Sequence, residues 1–260
     1  MIALGVSSFA QTTSTPPATP TPVPTPAATS KGIAKIESAE QVAESAIFFY
    51  GFPGGRDRLN QIRKTTLERG RTSFTAADGK VENATYQRFV IRADSLDKEK
   101  IRLDQDFPSA KYSLVFKDGK TYGVYNNTVF TPREDAIKTF ENQIARSLDA
   151  LLRYKENESK VELGTREKLM GVDYYVVDVT DKQARRTRFY VSAKSFRVMM
   201  LTYEENGIKY RRKFYDYNYA QGTLVPFRSI LWAGDKIIEE SEVGTITFGQ
   251  KVDEGLFSAS

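Results

Sequence analysis

The chain has 260 residues, 40% of them hydrophobic and 27% charged, which is enough apolar material for one sizeable core. Its formal net charge of +5 favours an anionic partner only if the excess is concentrated on one surface. The sequence contains no Cys and no His. That excludes Cys- or His-based nucleophilic catalysis, a zinc site of Cys and His ligands, and covalent acylation at a Cys.

The first ten residues read as the remnant of a signal peptide. An apolar run, Ile2 to Val6, is followed by Ser8-Phe9-Ala10, with small residues where a signal peptidase reads before Gln11. Residues 11–37 read as a disordered linker rich in Pro and Thr, because they lack the large apolar side chains that would offset the entropy of ordering. The folded domain is then expected over 38–260, exported to the periplasm and, without a Cys, not lipid-anchored.

Ser38 and Gln41 form a capping box, and Val42, Ala43, Ala46, Ile47 and Tyr50 follow at helical spacing until Gly51 and Pro53 end the helix. A short turn is expected around Arg58, Leu59 and Ile62. Alternation then replaces helical spacing, with Phe89 and Ile91 opposing Arg88 and Arg92, and with Ile101 and Leu103 opposing Lys100, Arg102 and Asp104. Asp78-Gly79, Asp118-Gly119 and Asn206-Gly207 supply hairpin turns, so the sheet is expected to be mostly antiparallel.

One long helix interrupts the strands. Thr131 is its expected cap, Pro132 its first residue and Glu134 the end of a capping box, and the helix is expected to run to about Tyr154. Ile137, Phe140, Ile144, Leu148, Leu151 and Leu152 make one apolar stripe along it. Seven strands follow, near 158–168, 171–179, 184–192, 196–204, 207–217, 225–233 and 236–248, and a meander is the economical topology. Val172–Val179 and Val198–Leu201 are apolar on both faces, as in a sheet that is covered or encloses a cavity.

Catalytic and cofactor motifs are missing from this pattern. Gly54-Gly55 lacks both a Walker lysine and a dinucleotide fingerprint, and reads as a turn. Arg185-Arg186-Thr187-Arg188 and Arg211-Arg212-Lys213 raise the question of nucleic acid, with Tyr190 and Tyr210 as stacking residues. Cross-strand pairing with Glu204, Glu205 or Asp216 is the better reading, giving a salt-bridged outer face. Glu239-Glu240 and Asp253-Glu254 read as surface charge. No catalytic residue, metal ligand or cofactor is expected.

The C-terminal third carries a more specific pattern: Arg211-Arg212-Lys213-Phe214-Tyr215-Asp216-Tyr217, then Gly222-Thr223-Leu224-Val225-Pro226, then Gly234-Asp235, then Val252-Asp253-Glu254-Gly255-Leu256-Phe257. With Lys117-Asp118-Gly119-Lys120-Thr121-Tyr122-Gly123 upstream, residues 38–257 resemble the outer-membrane lipoprotein-sorting family of LolA/LolB-like periplasmic carriers. The resemblance implies an α+β fold, mainly antiparallel β: a curved, incomplete β-barrel covered by helices, with an apolar cavity that shelters acyl chains. Phe89, Ile91, Leu103, Leu114 and Phe116 from strands, and Phe140, Ile144 and Leu148 from the helix, are the expected lining, with helix 132–154 as the lid.

The expected function is therefore a non-enzymatic binding or carrier protein for a lipid or lipoprotein acyl chain. The alternative is a scaffold or regulatory module of the same fold that binds a membrane-associated protein. Neither reading involves nucleic acid.

Overall fold

The computed structural model describes residues 36–76 and 78–258. The signal-peptide remnant lies outside these residues, as does the linker as far as residue 35.

Helix α1, Ala39–Tyr50, begins on the Ser38–Gln41 capping box, in which each side chain satisfies a free backbone amide of the first turn. Its Val42, Ala43, Ala46, Ile47 and Tyr50 are buried. The expected turn after it is instead a second helix, α2, Gly55–Ile62, whose Leu59 is buried while Asn60 donates to Glu156 at 2.7 Å.

The strands are β1 Thr65–Thr75, β2 Val81–Ile91, β3 Lys100–Asp106, β4 Lys111–Lys117, β5 Lys120–Tyr125, β6 Thr128–Phe130, β7 Lys160–Leu163, β8 Glu167–Leu169, β9 Val172–Thr180, β10 Arg186–Ser192, β11 Val198–Glu205, β12 Ile208–Ala220, β13 Thr223–Ala233 and β14 Lys236–Phe248. They make one 14-stranded antiparallel sheet in the order β6-β5-β4-β3-β2-β1-β14-β13-β12-β11-β10-β9-β7, with β8 paired to β9. The sheet does not close, since β6 and β7 remain as edges. Two meanders thus join where the last strand meets the first, β14 against β1.

Two of the three hairpin signals take the paired positive φ that their chemistry allows, and at the third Gly79 takes one. Asp118 and Gly119, and again Asn206 and Gly207, take successive positive φ values of 52° and 69°, and of 51° and 75°. Register shifts at Arg69/Gly70, Tyr190/Val191 and Leu231/Trp232 are the bulges that bend the sheet. At Gly70 a Cβ would stand 2.1 Å from the Glu242 carbonyl oxygen and 2.8 Å from the Tyr86 ring. Gly70→Ala is therefore expected to destabilise the fold by about 1–3 kcal/mol through overpacking, read as a lowered thermal midpoint.

The single helix expected over 132–154 is two helices, α3 Glu134–Ala145 and α4 Leu148–Leu152. Thr131 does not cap: the residue at the N-cap is Arg133, and the first-turn amide of Ala136 is met by Asp135 at 2.9 Å. The break at Arg146 and Ser147 has a packing cause, because the apolar stripe serves two cores. Phe140 and Ile144 join Val90, Ile101, Leu103, Leu114 and Phe116. Leu151 and Leu152 join α1 over Val177, Phe189, Val191 and Leu201. Arg146 anchors the corner by donating to Asn142 Oδ1 at 3.0 Å and to the Arg186 carbonyl at 3.2 Å.

The C-terminal turn Glu254–Phe257 lies against the other face of the sheet, where Tyr122 donates to the Phe257 carbonyl at 2.7 Å and Arg102 to that of Leu256 at 2.7 Å. On β9 and β10 the expected cross-strand pairing occurs, but with a different partner. Arg186 and Arg188 both bind Asp178, at 2.7 Å and 2.8 Å, and not Glu204, Glu205 or Asp216. Glu205 faces α3 instead, where it accepts from Asn142 at 2.6 Å.

Candidate functional site

Direct partners across an antiparallel pair share a face, and this rule builds the site. Arg88 pairs with Leu103, and Val90 with Ile101, so Tyr86, Arg88, Val90 and Arg92 turn toward the helices. Phe89 pairs with Arg102 and Ile91 with Lys100, which puts Phe89 and Ile91 on the opposite face. The alternation read in β2 is real, but its apolar phase faces away from α3. The expected lining by Phe89 and Ile91 is corrected on this ground.

Between the helix-facing side of the sheet and the α3–α4 corner lies a cavity of about 220 Å³. Leu103, Phe140 and Leu148 line it, and Val90, Phe214 and Phe248 add apolar wall. Leu114 is packed into the adjoining core. Phe116 and Ile144 belong to that core and also border a second cavity, of about 220 Å³, on the far side of α3. Five of the eight predicted residues therefore share one cluster, Leu148 borders the cavity but packs against the other core, and Phe89 and Ile91 do not take part.

The wall is not simply apolar, as had been expected. Six arginines line the cavity against three carboxylates. Arg212 of β12 binds Glu239 of β14 at 2.8 Å, and Gln143 of α3 donates to the same carboxylate at 3.0 Å. Burial pushes the Glu239 carboxyl up, but Arg212 beside it prevails and holds it below the ordinary carboxylate range. Asp149 of α4 is likewise raised by burial and brought lower still by Arg92 and Arg63, both of which it binds. Glu68 accepts from the Tyr86 hydroxyl at 2.8 Å, and burial together with Glu68 pushes that hydroxyl up.

Helix α3 is thus held by a few polar contacts around a small apolar centre. Thr121 donates to Glu141 at 2.8 Å, Asn142 to Glu205 and Gln143 to Glu239, while Phe140 and Ile144 supply its buried contact. Its remaining side chains are partly or fully exposed apart from Ala145.

The residues missed by sequence reasoning are Tyr86, Val90, Phe214, Phe248 and the arginines. For the β2 residues a signal was present as a period-two series, Tyr86-Arg88-Val90-Arg92, alternating with the Phe89-Ile91 series. Among the described residues no group of carboxylates could hold a metal ion, and no helix is long and apolar enough to cross a membrane.

No family model matches the sequence, and no curated protein matches it. Solved structures do. A DUF1329 family protein from Desulfovibrio piger aligns with a TM-score of 0.62 at 13% identity, covering 86% of this chain and 98% of that one. A LolA superfamily protein from Nitrosomonas europaea gives 0.60 at 12% identity over 86% and 98%. A putative outer membrane lipoprotein-sorting protein domain from Vibrio parahaemolyticus gives 0.53 at 12% over 84% and 97%. The chain therefore has the LolA-like fold, an open and curved antiparallel sheet whose helices cover one face.

Proposed function

We propose that the chain is a periplasmic carrier or binding protein that takes the acyl part of a lipid or lipoprotein between the sheet and α3. The observation that supports it is the cavity itself, walled by Val90, Leu103 and Phe214 from strands and by Phe140 and Leu148 from the helices. The solved structures of this fold include one described as a lipoprotein-sorting domain, which agrees with the reading.

A space of about 220 Å³ is smaller than the roughly 300–1,000 Å³ of pockets that enclose whole ligands. Uptake of a chain therefore requires α3 to move outward, exchanging its contacts with Leu103 and its neighbours for contacts with the ligand. Each sheltered CH₂ group contributes about 0.8 kcal/mol. The role of Leu103, Leu114, Phe116, Phe140, Ile144 and Leu148 is to form the apolar surface uncovered by that movement.

The test is uptake of a fluorescent acyl probe by the delipidated protein. Val243→Trp fills the cavity from β14 and is expected to weaken probe binding by about ten-fold or more, the equivalent of about 1.4 kcal/mol, with the fold retained by circular dichroism. Probe binding that is absent from the unmodified protein, or unchanged in Val243→Trp, would overturn the reading.

A further inference from the structure

The charges around the cavity carry a statement about its ligand that rests on the carrier reading above. Most of the six arginines are already engaged. Arg63 and Arg92 share Asp149, Arg92 also binds Glu99, Arg212 binds Glu239, and Arg228 turns outward to Glu240. Arg146 meets no carboxylate, but it donates to Asn142 and to the Arg186 carbonyl, and it lies 4.2 Å from the centroid of the Tyr203 ring.

Arg88 stands apart from these. Among the described residues it forms no ion pair and no hydrogen bond, and its Nε is buried without a partner. It lies on the cavity side of β2, opposite Leu103, and borders both the cavity and a small void beneath Ser147 and Asp149. Asp149 feels the charge of Arg88 but does not bind it, since that carboxylate is engaged by two other guanidiniums, and Glu68 accepts from Tyr86. A guanidinium whose Nε–H is buried without an acceptor is costly for the empty protein. It is also a fork matched to a carboxylate or phosphate.

We propose that Arg88 receives the anionic head group of an amphiphile, a carboxylate or phosphate, whose apolar part lies against Val90, Leu103, Phe140 and Phe214. The ligand class is thereby narrowed from any acyl chain to one with a negative charge at its end. The oxyanion replaces the water that Arg88 gives up on burial, and the chain fills the space that α3 vacates.

Binding of dodecanoate, dodecyl phosphate, dodecanol and inorganic phosphate to the full chain, measured by calorimetry, tests this. Either anionic amphiphile is expected to bind about ten-fold or more tighter than dodecanol, the ratio that a hydrogen bond to a charged group supplies. Arg88→Met is expected to abolish that ratio by weakening the two anionic amphiphiles, and Arg88→Lys to keep part of it.

Because Arg88 has no native partner, Arg88→Met is expected to melt at or above the temperature of the unmodified chain; a large drop would make Arg88 structural and overturn the proposal. Equal binding of dodecanoate and dodecanol would overturn the head-group assignment alone and leave the carrier reading standing. Inorganic phosphate binding as tightly as dodecyl phosphate would mark a free-anion site and overturn the amphiphile. Failure of all four probes to bind would overturn the carrier reading as well.

Discussion

Glu99→Gln is expected to lower the unfolding free energy by about 3–5 kcal/mol, the usual cost of breaking a buried ion pair on one side. Glu99 is fully buried and meets two guanidiniums, that of Arg92 at 2.8 Å and that of Arg153. It thereby ties the β2–β3 connection to the residue that ends α4. Burial, with repulsion from Arg92, already brings the Arg153 guanidinium down to about 10. Neutralising Glu99 removes the carboxylate facing both cations while keeping the side-chain shape, so cavity formation does not confuse the result. Urea unfolding reads the effect as a lower midpoint with unchanged slope. A loss below about 1 kcal/mol would mean that both guanidiniums reach water in the variant.

The second large effect concerns the buried pair between β12 and β14 to which Gln143 of α3 donates. Arg212→Met is expected to cost about 3–5 kcal/mol, because it leaves Glu239 charged, buried and joined only to Gln143 and Ser241. Combining it with Glu239→Leu is expected to recover most of that loss, since two apolar side chains of similar volume replace the pair. A double-mutant cycle measures the coupling, and additive losses would contradict it.

The same pair predicts the response to acid. Glu239 and Asp149 titrate below their ordinary values in the folded chain, so the stability they contribute is present above the ordinary carboxylate range, roughly pH 4. It is lost as pH falls through their depressed folded values. Thermal midpoints measured from pH 7 downward should therefore hold until about that range and then fall, less steeply in the double variant.

Much of the architecture follows from residues close together in the chain. The capping box of Ser38 and Gln41, the Asp118-Gly119 and Asn206-Gly207 turns and the strands from residue 171 to 248 are local in origin, and each is formed where its chemistry places it. Helix α2 was hidden because only Leu59 and Gly55 of its eight residues are buried. The corner between α3 and α4 was hidden because one unbroken stripe of apolar residues does not reveal that its two halves face different cores.

By itself, then, the sequence determined an antiparallel meander with helices and excluded Cys and His chemistry, because turn, cap and side-chain inventory are local properties. It did not determine what faces the cavity. In β2 the series Phe89-Ile91 and the series Arg88-Val90-Arg92 are each able to turn inward. Pairing with β3 selected the second, and Asp149, 57 residues further along the chain, and Glu99 supplied the carboxylates that let Arg92 be buried. That same choice left Arg88 inside without a partner, so the charged character of the site is a product of tertiary structure alone.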